Sequence, residues 1–96
     1  MAGIPIYARL GATIYEYRLA SELTQESLAE LADISPEYVS MLERGGASPT
    51  VTVLEQIANA LGTDGSVLLE DAERRRSASR GIPKRRASSG KVGRRR

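Results

Sequence analysis

The sequence predicts an all-α domain of five short helices, followed by a basic C-terminal segment expected to be disordered. Three observations point there. Apolar residues recur at three- and four-residue steps in successive short stretches, which is the signature of one buried helix face. The breaks between stretches carry helix-starting and helix-ending residues: Thr24, Ser35-Pro36, Gly45, Thr50, Gly62 and Asp64. After Asp71 the composition changes to Arg, Lys, Ser, Gly and Pro, with almost nothing apolar.

Each element has its own signal. Residues 1–8, MAGIPIYA, read as an irregular lead-in interrupted by Pro5. From Arg9 to Ala20 the pattern is helical, with Leu10, Ile14 and Tyr17 on the inner side and Tyr15 facing outward. Tyr17 is expected in the core with its hydroxyl near the surface. The link SELT offers Leu23 for burial and Thr24 as the cap of a second helix, Gln25–Ala32, whose stripe is Leu28, Leu31 and Ala32. Pro36 disfavours helix at Ser35 and suits the first position of a third helix, Pro36–Arg44, which Ser35 can cap. Gly45 is expected as a left-handed stop. Thr50 or Ser48 caps a fourth helix reaching Leu61, with Val51, Leu54, Ile57, Ala58 and Leu61 inward. Gly62 ends it, and Asp64 caps a short fifth helix, Gly65–Glu70, with Val67 and Leu68 inward.

Composition narrows the function. Ninety-six residues allow one small domain, here expected over residues 9–71, with the tail over 72–96. There is no Phe or Trp, so Leu, Ile, Val and Ala must fill the core. Without Cys or His, the chain has no disulfide, no thiolate or imidazole metal site and no His-based acid–base catalysis. No metal or cofactor is implied. The paired carboxylates read as solvated helix faces, and Gly45-Gly46 as a helix stop rather than a nucleotide-binding loop, so an enzyme is not expected. No long apolar run and no signal-peptide pattern is present, so the expectation is a cytoplasmic protein away from membranes.

The formal net charge of +2 hides a strong asymmetry. Residues 1–73 hold Arg9, Arg18 and Arg44 against all twelve acids, a balance of −9, while residues 74–96 hold the other eleven bases and no acid. Such a tail cannot bury enough apolar surface to offset ordering entropy, hence the expected disorder. Separation of this kind suggests a nucleic-acid-binding arm.

The chain is organised around residues 25–44, QESLAELADISPEYVSMLER. Two helical stripes are separated by only Asp33, Ile34, Ser35 and Pro36, too few for anything but a sharp corner. Ala29 is small enough to let the helices cross, Ile34 is an apolar peg in the turn, and Asp33 falls where a left-handed residue is needed. This is a helix-turn-helix pattern. The run LTQESLAELADISPEYVSMLERG resembles the lambda-repressor-like family of Cro-type and xenobiotic-response-element-type regulators, matching at Gln25, Ala29, Ile34, Val39, Leu42, Glu43 and Gly45. The similarity continues through SPTVTVLEQIANALG and covers about residues 9–70. Asp33 stands where the family usually has glycine, a departure that touches only the fine geometry of the turn.

In helix-turn-helix docking the second helix of the motif enters the major groove by its N-terminal end. Residues 37, 38, 40 and 41 lie off the stripe of Val39 and Leu42. The resemblance implies base-edge contacts at Pro36, Glu37 and Met41, with Tyr38 and Ser40 as neighbouring candidates. Glu37 can accept from cytosine N4, and Met41 and Pro36 can pack on a thymine methyl, but no Arg, Asn or Gln is there for bidentate purine contacts. A carboxylate in a helix's first turn is also favoured by the helix dipole, so Glu37 has a purely structural reading as well. The resemblance further implies phosphate contacts at Gln25, Arg44 and the N–H groups of Gly45 and Gly46, with Ser35 beside them. It also implies a structural ion pair between Arg18 and Glu43.

An acidic domain repels DNA, and the basic clusters are expected to compensate. Arg74, Arg75, Arg76, Lys84, Arg85 and Arg86 would follow neighbouring phosphates or a minor groove, as flexible arms do; the other reading of the tail is a solvated appendage that aids solubility and pairs loosely with its own acidic domain. The expected function is a transcriptional repressor that binds double-stranded DNA as a homodimer, through a surface that includes Val53, Val67 and Leu69. The alternative is a protein-binding module whose partner is a toxin, as in an antitoxin, or another regulator.

Overall fold

The structure is a computed structural model and describes residues 3–75. Its helices are α1 (Ile6–Ala20), α2 (Gln25–Ala32), α3 (Pro36–Glu43), α4 (Val51–Ala60) and α5 (Gly65–Arg74), with no strand among the described residues. The expected all-α, five-helix class is the observed one.

α1 is the central rod. It packs against α3 on one side and α5 on another, while α2 packs on α3 and α4, and α4 on α5. Being enclosed on two sides, α1 buries consecutive residues, Leu10 through Ile14, rather than a single stripe. The core joins Leu10 and Ile14 to Leu28, Ala29, Ala32, Val39, Leu42, Ile57, Ala58, Leu68 and Ala72. Ile34, Leu23 and Tyr17 pack on its edge as expected. The Tyr17 hydroxyl donates to the Asp71 carboxylate, which fastens α1 to α5.

The α1–α3 crossing depends on one glycine. A Cβ on Gly11 would stand 1.9 Å from the Leu42 carbonyl oxygen. Only a residue without a side chain lets these two backbones approach so closely. The small residue expected at a crossing, Ala29, is also buried, but Gly11 makes the tighter approach.

Several local expectations are met at the atomic level. Thr24, Ser35 and Thr50 accept from the N–H groups of Ser27, Tyr38 and Val53, so each caps its helix. Asp33 is left-handed at φ 63°, ψ 44°, and Gly45 and Gly62 also have positive φ. Asp64 stands at the N-cap of α5 but makes no side-chain capping bond.

Other expectations are corrected. α1 begins at Ile6 rather than Arg9, because the Pro5 carbonyl accepts from the Ala8 and Arg9 N–H groups and starts the helix. Ile6 and Tyr7 remain largely exposed, so the apolar pattern gave no sign of this first turn. α5 runs to Arg74, past the change in composition at 71. Buried Ala72 holds it down, and the Arg9 guanidinium donates to the Ala72 and Glu73 carbonyls at its C-terminal end. Leu31 and Val51 are not core residues; they are 61% and 78% exposed. Tyr15 is half-buried rather than outward, with the Arg18 guanidinium carbon 5.4 Å from its ring centre.

Candidate nucleic-acid interface

α3 has two unlike sides. Val39, Leu42 and Glu43 are buried, while Glu37 and Met41 are exposed and Pro36, Tyr38 and Ser40 are half-buried between them. The five residues expected to face a groove thus share the solvent side of one eight-residue helix. Tyr38 is divided in its commitments, since it also packs on the core edge. Met41 is 41% exposed, a large apolar group left in water. Glu37 forms no ion pair among the described residues, so its carboxylate is available to a donor.

The helix's entry and exit are rigid. Ser35 Oγ accepts from the Tyr38 N–H at 3.1 Å, which leaves the hydroxyl hydrogen to donate outward. At the other end Gly45 N–H donates to the Leu42 carbonyl and Gly46 N–H to the Met41 carbonyl, at 3.0 and 2.9 Å. These are helix-closing bonds. They correct one expectation: the Gly45 and Gly46 amides are already used within the chain and are not open donors for a phosphate. Arg44 Nε donates to the Ser40 carbonyl at 3.3 Å from an exposed position, so the rest of its guanidinium faces solvent.

Behind this face lies a buried ion pair. Glu43 Oε2 accepts from Arg18 Nε at 2.7 Å and Oε1 from Arg18 Nη2 at 3.1 Å. The Arg18 and Glu43 side chains are 9% and 0% exposed. Arg18 Nη1 also donates to the Leu23 carbonyl at 2.8 Å. The bidentate geometry and the additional bond satisfy charges that would otherwise be costly to bury. The expected Arg18–Glu43 pair is therefore present. Gln25 belongs to the same network, because its Nε2 donates to Glu43 Oε1 at 3.0 Å. Sequence reasoning placed Gln25 on the surface as a phosphate contact and missed this tie; a glutamine at a helix start carries no mark of an internal acceptor.

Two cations assigned to the tail belong to the folded domain instead. Arg74, in the last turn of α5, pairs with Glu70 at 3.4 Å and Asp71 at 2.5 Å, and Arg75 pairs with Glu16 of α1. They lie on the α1–α5 side, and their charges are matched by domain acids, so they are not free tail charges for phosphate. Arg76, Lys84, Arg85 and Arg86 lie outside the described residues. Among the described residues there is no cluster of side chains able to hold a metal ion, and no helix long and apolar enough to cross a membrane.

Residues 14–68 match the family model described as helix-turn-helix. The chain belongs to this lambda-repressor-like helix-turn-helix family. The helix-turn-helix regulator YqaF of Bacillus subtilis is 39% identical over 54 residues, spanning 56% of this chain and 71% of that protein. The immunity repressor protein of Bacillus phage phi105 is 37% identical over 60 residues, 62% of this chain and 42% of the phage protein. Among solved structures, the clp gene regulator ClgR from Corynebacterium glutamicum superposes with a TM-score of 0.69 at 32% identity, covering 72% of this chain and 73% of that one. As a helix-turn-helix protein of this family, the chain is a DNA-binding transcriptional regulator, and α2 and α3 are the two helices of its motif.

Proposed function

We propose that this regulator is a repressor that acts as a cytoplasmic homodimer, reads operator DNA with the solvent side of α3, and carries out no catalysis. The observation that carries the reading is that side itself. Glu37 and Met41 project from a capped, rigidly closed helix whose opposite side is locked into the core. Glu37 accepts from cytosine N4, Met41 and Pro36 pack on thymine methyls, and Tyr38 and Ser40 contribute from the flanks. Ser35, Arg44 and Gln25 meet phosphates and set the register. Repression is favoured by the likeness to a phage immunity repressor.

For the dimer, exposed Val51 and Leu69 and half-buried Val53 and Val67 supply apolar surface on α4 and α5, away from α3. A two-fold pair of motifs would read half-sites about one helical turn apart. Leu69→Glu is expected to give a monomer by analytical ultracentrifugation, and a variant that stays dimeric would exclude this surface.

The test of the DNA reading is selection from a randomised duplex library by the full chain at two salt concentrations. Recovery of one palindromic sequence is expected, with affinity falling as salt rises. Equal binding to all duplexes would contradict base reading. A second reading is favoured by the acidity of the domain, with exposed Glu26, Glu30 and Asp33 on α2 and its C-cap and Glu37 on α3. In that reading the partner is a protein, such as a toxin or another regulator, and duplex selection fails while a basic partner is bound.

A further inference from the structure

α3 ends in a pair of closing bonds. Gly45, left-handed at φ 77°, donates its N–H to the Leu42 carbonyl at 3.0 Å, and Gly46 donates to the Met41 carbonyl at 2.9 Å. In a helix stop of this kind the residue just past the left-handed one folds back over the last turn. An apolar side chain there commonly covers an apolar side chain of that turn. Here the two positions are Gly46 and Met41, so the side chain to be covered is present and the covering one is not. Gly46 has no positive φ, so its backbone does not require glycine. What its bare Cα leaves open is the space beside Met41. A Cβ at Gly46 would stand 3.3 Å from Met41 Cγ and 3.5 Å from the Met41 carbonyl oxygen. Apart from its chain neighbours, it would meet no other described residue within 4 Å. Gly46 is exposed, and Met41 keeps 41% of its surface in water. Ala47, next in the loop, packs on the core and fixes the loop beside α3.

We infer that Gly46 is a positioning residue for base recognition: by leaving the covering position vacant, it keeps the Met41 thioether free to enter the groove. This rests on the proposed reading of DNA by the solvent side of α3. Gly46 touches no base and acts through Met41. A methionine side chain is unbranched and flexible, so it follows whichever apolar surface is offered to it. An apolar side chain at position 46 would offer that surface within the protein at all times. A thymine methyl offers it only in the complex. The internal contact would then have to open before the DNA contact formed, which lowers affinity by the fraction of molecules in the open form. With glycine at 46 no such competitor exists.

The test is a double-mutant cycle on the full chain, read against the tightest duplex recovered from a randomised library and its single-base-pair variants. Met41→Ala should flatten the preference at one base pair by about fivefold, the small end of what one altered pair costs. Gly46→Leu should flatten the preference at that same pair, with a melting temperature no lower than wild type. Gly46→Leu/Met41→Ala should match Met41→Ala alone, because the side chain through which position 46 acts is already gone. Gly46→Ala, whose methyl reaches only Met41, should shift the preference in the same direction by less, and it carries the test if the larger variant does not fold. In free Gly46→Leu, NMR should show a nuclear Overhauser contact between the introduced side chain and Met41. Full wild-type preference in both Gly46 variants, or no such contact, would overturn the inference and leave the docking in place. So would an equal weakening of all duplexes by Gly46→Leu with and without Met41, since that is a direct clash with DNA. If Met41→Ala keeps the wild-type preference at every position, base reading by Met41 fails and the inference fails with it.

Discussion

The two sides of α3 are built by different rules. The buried side is over-determined: Val39 and Leu42 fill the core, Glu43 is bonded to Arg18 and Gln25, and the backbone at Leu42 rests against Gly11. The exposed side is under-determined: Glu37 and Met41 are free to change without touching another element. The inner side fixes where the helix stands, and in the proposed docking the outer side sets what it meets. A reader of DNA gains from this separation, since specificity can vary while the frame that positions it does not.

Substitutions can break or sharpen this contrast. The largest effect is expected from Glu43→Ala, which leaves the Arg18 guanidinium buried without its partner and should cost about 3–5 kcal/mol in urea denaturation. Gly11→Ala should follow, at about 3 kcal/mol, because the new methyl collides with the Leu42 carbonyl and forces α1 and α3 apart. Both variants should lose DNA binding together with the fold. Ser35→Ala removes the cap of α3 and should cost about 1 kcal/mol, with a further loss of affinity if the hydroxyl also meets a phosphate. Asp33→Gly relieves a left-handed non-glycine residue and should raise stability by about 0.5 kcal/mol. Met41→Ala should change stability by less than about 0.5 kcal/mol yet alter the selected DNA sequence.

How much of this was legible in the sequence follows the same division. The corner at Asp33–Pro36, the caps at Thr24, Ser35 and Thr50 and the left-handed stops at Gly45 and Gly62 follow from local backbone chemistry, which a sequence displays directly. The Arg18–Glu43 pair was legible only through family resemblance, because the partners are 25 residues apart. What was not legible depends on three-dimensional neighbours. Leu31 satisfies helical periodicity but points away from both α3 and α4 into solvent, and Val51 opens α4 before that helix reaches the core. Arg74 and Arg75 read as tail because their composition matches the tail, yet Glu16, Glu70 and Asp71 hold them to the domain. Gly11 gave one unused signal, a lone glycine within a helical pattern, which often marks close packing. The Gly45 and Gly46 amides looked available until the closing bonds of α3 accounted for them.

The central claim is that the exposed side of α3 reads bases while its buried side only supports. The most direct measurement is parallel selection from one randomised duplex library by the full-length wild-type chain and by full-length Glu37→Ala/Met41→Ala, after confirming equal thermal unfolding. The account predicts that both proteins recover a defined sequence, and that the variant's sequence differs at the positions facing the N-terminal half of α3. Recovery of the same sequence with the same preference at every position would contradict it.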